Sequence, residues 1–272
     1  RAVFADVNPA TYNLDPEAIR KAAREHPKAK AVLVVHLFGL PCDMDAVIDV
    51  AAEYGLTVIE DCAQAHGALY KGRMVGSIGL LSAFSFYPTK NMTCGEGGMV
   101  VTSDNELAER CRLLVNHGSA IRYQHEILGY NYRLTNIAAV IGSTQLEDLD
   151  DFIAARSANA SRLTDGLSGL SGVITPWVPD GCRHAFNQYT IKVPQGREDL
   201  LKYLEREGIG YGLFYPQPSY KQSLYKELGY GDSYCPVAED LSAQVVSLPV
   251  LLDEWEIDRI IEVIGDWTPN KG

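Results

Sequence analysis

A single rhythm limits this chain more than anything else in it. Between residues 31 and 115, short apolar runs alternate with stretches whose apolar residues recur every three or four positions. Ala31-Val32-Leu33-Val34-Val35 is apolar throughout and β-branched, which predicts a strand covered on both faces. In Asp43 to Tyr54, Met44, Val47, Ile48 and Ala51 share one stripe and Gly55 is placed to end a helix. Thr57-Val58-Ile59 predicts a second buried strand, halted at Glu60-Asp61 because a charge inside a sheet loses its water. Leu80 to Phe86 and Met99 to Thr102 predict two more. Ser103-x-x-Glu106 has the form of a capping box, with Leu107, Cys111, Leu114 and Val115 as the stripe of the helix behind it. Strand, helix, strand in this order makes a largely parallel α/β sheet, and such sheets bind ligands beyond the carboxyl ends of their strands. Asp61 stands at one of those ends.

From Leu134 to about Leu170 there is no proline, and the composition predicts a long helix with Gly166 as its candidate break. This helix would join a large domain, residues 1–150, to a smaller α+β domain, residues 151–272. In the latter, Tyr189, Ile191 and Val193 alternate with Thr190 and Lys192, which predicts a strand with one wet face. Arg197 to Glu207 and Glu254 to Trp267 read as helices. A length of 272 residues accommodates both domains. With 24 Lys+Arg against 35 Asp+Glu, the formal charge is −11, which argues against a sequence-independent nucleic-acid partner. No apolar run approaches the 18 or so residues of a membrane span. The six cysteines form no C-x-x-C pair and no zinc spacing, so no metal site is expected and a reduced, cytoplasmic setting is.

The chemistry gathers in three stretches: Glu60 to Ala68, Ser85 to Lys90, and Gly95 to Gly98. A strand-end aspartate, Asp61, and a loop lysine, Lys90, lie 29 positions apart. That combination suits pyridoxal phosphate, whose aldehyde a lysine amine captures as a Schiff base. An ionised aspartate then keeps the pyridine nitrogen protonated, so that the ring accepts electrons. Ser85 offers a hydroxyl to the phosphate, and Gly95, Gly97 and Gly98 permit a tight loop with positive φ. Taken singly, each feature has an ordinary reading: a capping aspartate, a surface lysine, a glycine turn. The glycine run is not a phosphate-binding P-loop, because no Gly-Lys-Ser/Thr follows it.

The motifs together are more specific. VHLFGLPCDMD (35–45), VIEDCAQAHGA (58–68), FSFYPTKNMTCGEGGMV (84–100), NHGS (116–119), LGYNYRLTNIAAVIGSTQLEDLD (128–150) and AEDLSAQVVSLPV (238–250) occur in order along the chain. In these the chain resembles the DegT/DnrJ/EryC1/StrS family of sugar aminotransferases. The resemblance implies an α/β fold of the aspartate-aminotransferase type (fold type I), pyridoxal 5'-phosphate as cofactor, and transamination of a nucleotide-linked keto sugar with glutamate as donor. It implies Lys90 as the Schiff-base lysine and proton carrier, Asp61 as the pyridinium partner, Gln64 beside the ring and its 3-hydroxyl, and Ser85 on the phosphate. Asn131 matches an asparagine that reaches the phosphate of a neighbouring subunit, which implies a homodimer with shared active sites.

Other positions are open to two readings. His66, Tyr87, Arg133, His184 and Tyr215 match segments near the substrate or ring in relatives, and core packing or a surface pair explains each equally well. Measured against the family, an amino-terminal segment is absent, and Arg1 to Val7 aligns with an internal strand, so the chain reads as a piece or a naturally short form. Pro218-Ser219-Tyr220 stands where relatives carry Pro-Leu-His, and Leu251-Leu252-Asp253 also departs; both touch substrate recognition. The alternatives are a keto-cyclitol acceptor, a dehydratase of the same family (disfavoured by Lys90, which those relatives replace with histidine) and a non-catalytic regulator or assembly partner.

Overall fold

In the computed structural model, which describes residues 1–267, side-chain caps set the boundaries of the early helices. Asp15 accepts from the Glu17 N–H ahead of α1 (Pro16–Glu25), whose first residue is a proline, tolerated there because that N–H would be unpaired anyway. After β1 (Ala31–Val35), Asp43 caps α2 (Met44–Tyr54) through the Ala46 N–H, and Gly55 ends it at φ 64°. β2 (Thr57–Asp61), the hairpin of β3 (Leu69–Tyr70) and β4 (Arg73–Met74), β5 (Leu81–Ser85), β6 (Gly98–Val101) and α3 (Asn105–Val115) follow.

β1, β2 and β5 run parallel and β6 joins antiparallel, in the order β1-β2-β5-β6. The register sorts side chains onto two faces. Val32, Val34, Val58 and Glu60 share one, and Leu33, Val35, Ile59 and Asp61 share the other. α1 and α2 cover the first, in a core of Ile19, Val32, Val34, Met44, Val47, Val50, Ala51 and Val58. The second face is open: Leu33 is 57% exposed, and Val35 and Val100 are exposed with it. β1 is therefore buried on one face only, because both helices pack on the same side.

Two further expectations at this end of the fold are overturned. β2 does not halt before its charges but runs through Glu60, which is fully buried. The Glu60 carboxylate accepts from His36 Nε2 (2.9 Å), Gly76 N (2.7 Å), Ile78 N (2.9 Å) and Gly79 N (2.6 Å), so four donors replace its water. His36 Nδ1 accepts from the Cys42 N–H, which leaves the ring proton on Nε2 for Glu60. Burial alone would raise the Glu60 pKa; the bonds from His36, Gly76 and Gly79 outweigh it and hold the pKa below the usual carboxylate value. The α3 cap is Asp104, through the Leu107 N–H, and not Ser103, which lies one residue too early to reach it. The α3 stripe is only half-buried.

The stretch after Leu134 forms two helices, not one: α4 (Asn136–Glu147) and α5 (Leu149–Leu167), with the break at Asp148. Gly166 lies inside α5, where a Cβ would come within 2.6 Å of Ile261. β7 (Cys182–Arg183) pairs with β3, and β8 (Tyr189–Lys192), α6 (Arg197–Arg206), α7 (Ser223–Tyr225), α8 (Pro236–Ser242), β9 (Val245–Leu248) and α9 (Glu254–Asp266) follow it. Ala160, Leu163, Leu167, Ile191, Leu200, Leu204, Val246, Ile257 and Ile264 form a second core around the antiparallel β8–β9 pair. Thr190 is not on a wet face; it is buried, and its hydroxyl pairs with that of Ser247 at 2.8 Å. Arg1 to Val7 makes no strand, only a bridge from Val7 to Leu14, and Asp6 instead caps α8 through Val237 N and Ala238 N. Among the described residues no helix is long and apolar enough to cross a membrane.

Candidate active site

Asp61 is the last residue of β2 and Ser85 the last of β5, and the register sets both on the open face of the sheet. Beyond β5 the chain turns at once: Lys90 N donates to Tyr87 O (3.0 Å), Thr93 Oγ1 to Phe86 O (2.8 Å) and Phe86 N to Gly97 O (2.9 Å). These bonds close residues 87–97 into one loop carrying Lys90. Of the three glycines, only Gly95 has positive φ (85°). The others answer to close approach: a Cβ on Gly97 would lie 2.7 Å from Cys94 Sγ and Leu134 Cδ1, and one on Gly98 would lie 2.8 Å from Phe84 O.

Lys90 is half-buried, and burial pulls its amine pKa below the ordinary lysine value against an opposing pull from the Asp61 carboxylate. Neither residue has an ion-pair partner within 4 Å among the described residues. Asp61 Oδ1 accepts from the Ala63 N–H (3.0 Å), which fixes the carboxylate at the strand end. Ser85 Oγ accepts from the Tyr87 N–H (3.3 Å), so its own proton is free to donate. His66 is buried against Phe84 and Phe86, with ring centroids 5.4 and 6.0 Å away, and among the described residues both ring nitrogens lack a hydrogen-bond partner. Burial holds its pKa near 4; the Ser85 backbone pulls weakly upward and the Lys90 ammonium adds to the depression. Gln64 is buried; its Oε1 accepts from the Phe38 N–H (2.6 Å) and its Nε2 donates to the Tyr215 hydroxyl (3.2 Å).

The expected residues divide into three groups. Asp61, Gln64, His66, Ser85 and Lys90 belong to one neighbourhood at the carboxyl ends of β2 and β5, with Tyr215 tied to it through Gln64 and Tyr87 exposed on the Lys90 loop. Asn131 and Arg133 are exposed elsewhere, Asn131 bridging Asn116 and Arg133 donating to Asn116 Oδ1 (2.8 Å). His184 is a packing group. It is buried and stacked parallel on Phe186 at 4.0 Å, and its Nδ1 accepts from the Phe186 N–H. Burial pushes its pKa down to about 3, so the ring stays neutral. The sequence reading missed the roles of Glu60 and His36, which fix the strand carrying Asp61, because their partners at 76–79 are distant in sequence and carry no signal of the contact.

This neighbourhood fits pyridoxal phosphate. A half-buried amine and a carboxylate influence each other without touching, an unpartnered neutral imidazole lies beside them, and a serine hydroxyl has a proton to give. The family model of the DegT/DnrJ/EryC1/StrS aminotransferases matches residues 1–265. A pleiotropic regulatory protein of Geobacillus stearothermophilus is 40% identical over 272 residues, 98% of this chain and 72% of its own length. A UDP-N-acetyl-3-dehydro-alpha-D-glucosamine 3-aminotransferase of Acidithiobacillus ferrooxidans is 41% identical over 265 residues, 96% and 70% of the two chains. The crystal structure of DesV from Streptomyces venezuelae superposes with a TM-score of 0.93 at 38% identity, over 97% of this chain and 71% of that one. By this match and these likenesses the chain belongs to the DegT/DnrJ/EryC1/StrS aminotransferase family, pyridoxal-phosphate-dependent enzymes of the aspartate-aminotransferase fold type.

Proposed function

We propose that this aminotransferase moves an amino group from glutamate to a nucleotide-linked keto sugar and releases an amino sugar. The observation that carries the reading is Lys90, a half-buried amine with no ion-pair partner among the described residues, electrostatically influenced by Asp61 at the end of β2. The relatives' names support the substrate class: one acts on a UDP-linked dehydro sugar, and others are dTDP-amino-sugar transaminases. When bound, pyridoxal phosphate supplies an electron sink for the carbon that loses its proton. Lys90 would be the residue that attaches covalently, and its freed amine would carry a proton from the substrate carbon to the cofactor carbon in the first half-reaction and in the opposite direction in the second. Its depressed pKa makes the neutral, proton-accepting amine more abundant near neutrality. Asp61 holds a proton on the ring nitrogen. Ser85 would donate to the phosphate, Gln64 would serve the ring oxygen, and neutral His66 would pack beside the ring. Tyr87 and Tyr215 are the residues beside this site that would contact the substrate.

We further propose that two copies complete each other's sites, with Asn131 of one reaching the phosphate held by the other. The exposed apolar residues around it support this: Leu128, Tyr132, Ile137 and Val140 are all more than 60% exposed. Within each copy we read residues 1–150 as the cofactor-binding unit and 151–272 as the smaller one.

The test begins with the purified protein, pyridoxal phosphate and borohydride. Visible absorbance should appear, and after reduction a mass-tagged peptide should map to Lys90. Glutamate should bleach the absorbance, and a keto-sugar nucleotide should restore it; a keto-cyclitol panel resolves the acceptor. Lys90→Ala should lower turnover by about 10²–10⁴-fold, the range of a lost acid–base group. A tag on a different lysine, or none on folded protein, overturns the reading.

A further inference from the structure

The residue after the reactive lysine makes a bond that crosses the molecule. Asn91 is buried, and its Nδ2 donates to Ala185 O at 2.8 Å, 94 positions away. Ala185 belongs to an irregular strap, residues 184–188, that leads into β8 and the second core. Five backbone groups of the strap are tied to other elements, Ala185 O among them. Ala185 N donates to Gly39 O (2.9 Å) and Gln188 N to Phe38 O (3.2 Å). Arg156 Nη1 donates to Phe186 O (3.2 Å) and reaches Asn187 O (3.5 Å) from α5. Phe186 sits at φ 40°, a left-handed conformation unfavourable for a residue with a Cβ, and the stack on His184 together with these bonds holds it there.

Arg156 is unusual in itself. It is 8% exposed, no carboxylate lies within 4 Å of it among the described residues, and its Nε has no partner. A guanidinium buried for structural charge balance is normally paired; this one is used to grip two carbonyls. The strap is therefore clamped from α5 on one side and from the Lys90 loop on the other.

We propose that Asn91 is a positioning residue for the Lys90 amine, joining its loop to the 184–188 strap that Arg156 holds from α5. Through this link the second core and the reactive lysine share one mechanical element, and the half-buried setting of Lys90 depends on it. The proposal rests on Lys90 being the reacting amine. Its consequence can be read without cofactor, so failure of one reading is separable from failure of the other.

The test is a pH profile of amine acetylation of the full chain, followed residue by residue by mass spectrometry, for the parent and for Asn91→Leu, which keeps the branched shape but removes the donor. In the parent, Lys90 should titrate below the exposed lysines. In the variant its midpoint should move up to join them, while Lys71 and Lys202 keep theirs and hydrogen exchange of β8 and β9 is unchanged. If Asn91→Leu does not fold, Arg156→Lys, which retains a single donor, should produce a smaller upward shift of Lys90 alone. A Lys90 midpoint unchanged in the folded variant overturns the proposal, and so does a shift common to all lysines, which marks general loosening. A covalent tag absent from Lys90 in the borohydride experiment would instead remove the functional reading and leave this titration standing.

Discussion

At the scale of the residue, the site depends on a carboxylate that never meets the ligand. Glu60 Oε2 serves His36 and Gly76, and Oε1 serves Ile78 and Gly79. Glu60→Ala strands all four donors in the interior, which should cost about 3–5 kcal/mol, the range for a buried charge network that loses one partner. Glu60→Gln keeps the shape, yet whichever way the amide turns, its NH2 faces two donors instead of accepting from them. A loss of about 2 kcal/mol is expected for it. Urea unfolding measures both, and a Gln variant as stable as the parent would show that the carboxylate's charge is not what fills the site. Asp61, the next residue, would lose its fixed position as well as its neighbour, so cofactor affinity should fall alongside stability. Asp61 itself was readable in the sequence, because a charge at a strand end in a parallel sheet stands where ligands bind. Glu60 was misread by the same logic. Its four partners come from residues 36 and 76–79, and no local pattern announces that a distant loop will turn its N–H groups inward.

At the scale of the element, most of the strands and helices were legible and their junctions were not. β1, β2, β5, α2, α6 and α9 fall where apolar periodicity puts them, because period and length are properties of the local chain. The two helices at 136–167 read as one, since no proline or glycine marks the break at Asp148. Covering also escaped the sequence: Leu33 and Val35 look like core residues in β1, and only the placement of both helices on one face shows that they are not. Gly166, the expected breaker, has the opposite role. It lets α5 approach α9 so closely that a Cβ would lie 2.6–2.9 Å from three atoms of Ile261. Alanine there gains about 1 kcal/mol of helix propensity and costs about 1–3 kcal/mol in overpacking. The second effect should win, so Gly166→Ala should lower the unfolding midpoint. In an Ile261→Ala background the same glycine substitution should cost less than it does in the parent, because the contact is already relieved. If the single variant is more stable than the parent, α5 and α9 are not in the contact described.

At the scale of the whole molecule, two buried neutral histidines couple stability to pH. His66 has a pKa near 4 and His184 near 3, both held down by burial, against about 6.5 in the unfolded chain. The sign follows from proton counting. Below pH 6.5 the unfolded chain binds a proton at each histidine and the folded chain does not, so acid favours unfolding. Their stabilisation is complete above about pH 7 and is lost steadily as pH falls toward 4. At pH 5 the two shifts predict a loss of about 2 kcal/mol for each histidine, about 4 kcal/mol together, relative to pH 7. Glu60, whose pKa lies below its ordinary value, adds its own loss only when the pH falls below about 4.5, so the window from 6.5 to 4.5 isolates the histidines. The two rings pack on different aromatics, His66 on Phe84 and Phe86 and His184 on Phe186. Each binds its own proton, so a variant should remove one contribution and leave the other. Urea unfolding of the parent at pH 7 and pH 5 reads the sum. His184→Phe, which keeps the stack but cannot bind a proton, should halve the difference whatever it does to stability at pH 7. A parent equally stable at both pH values would mean that neither ring is held neutral in the interior, and the assignment of His184 to packing would fall with it.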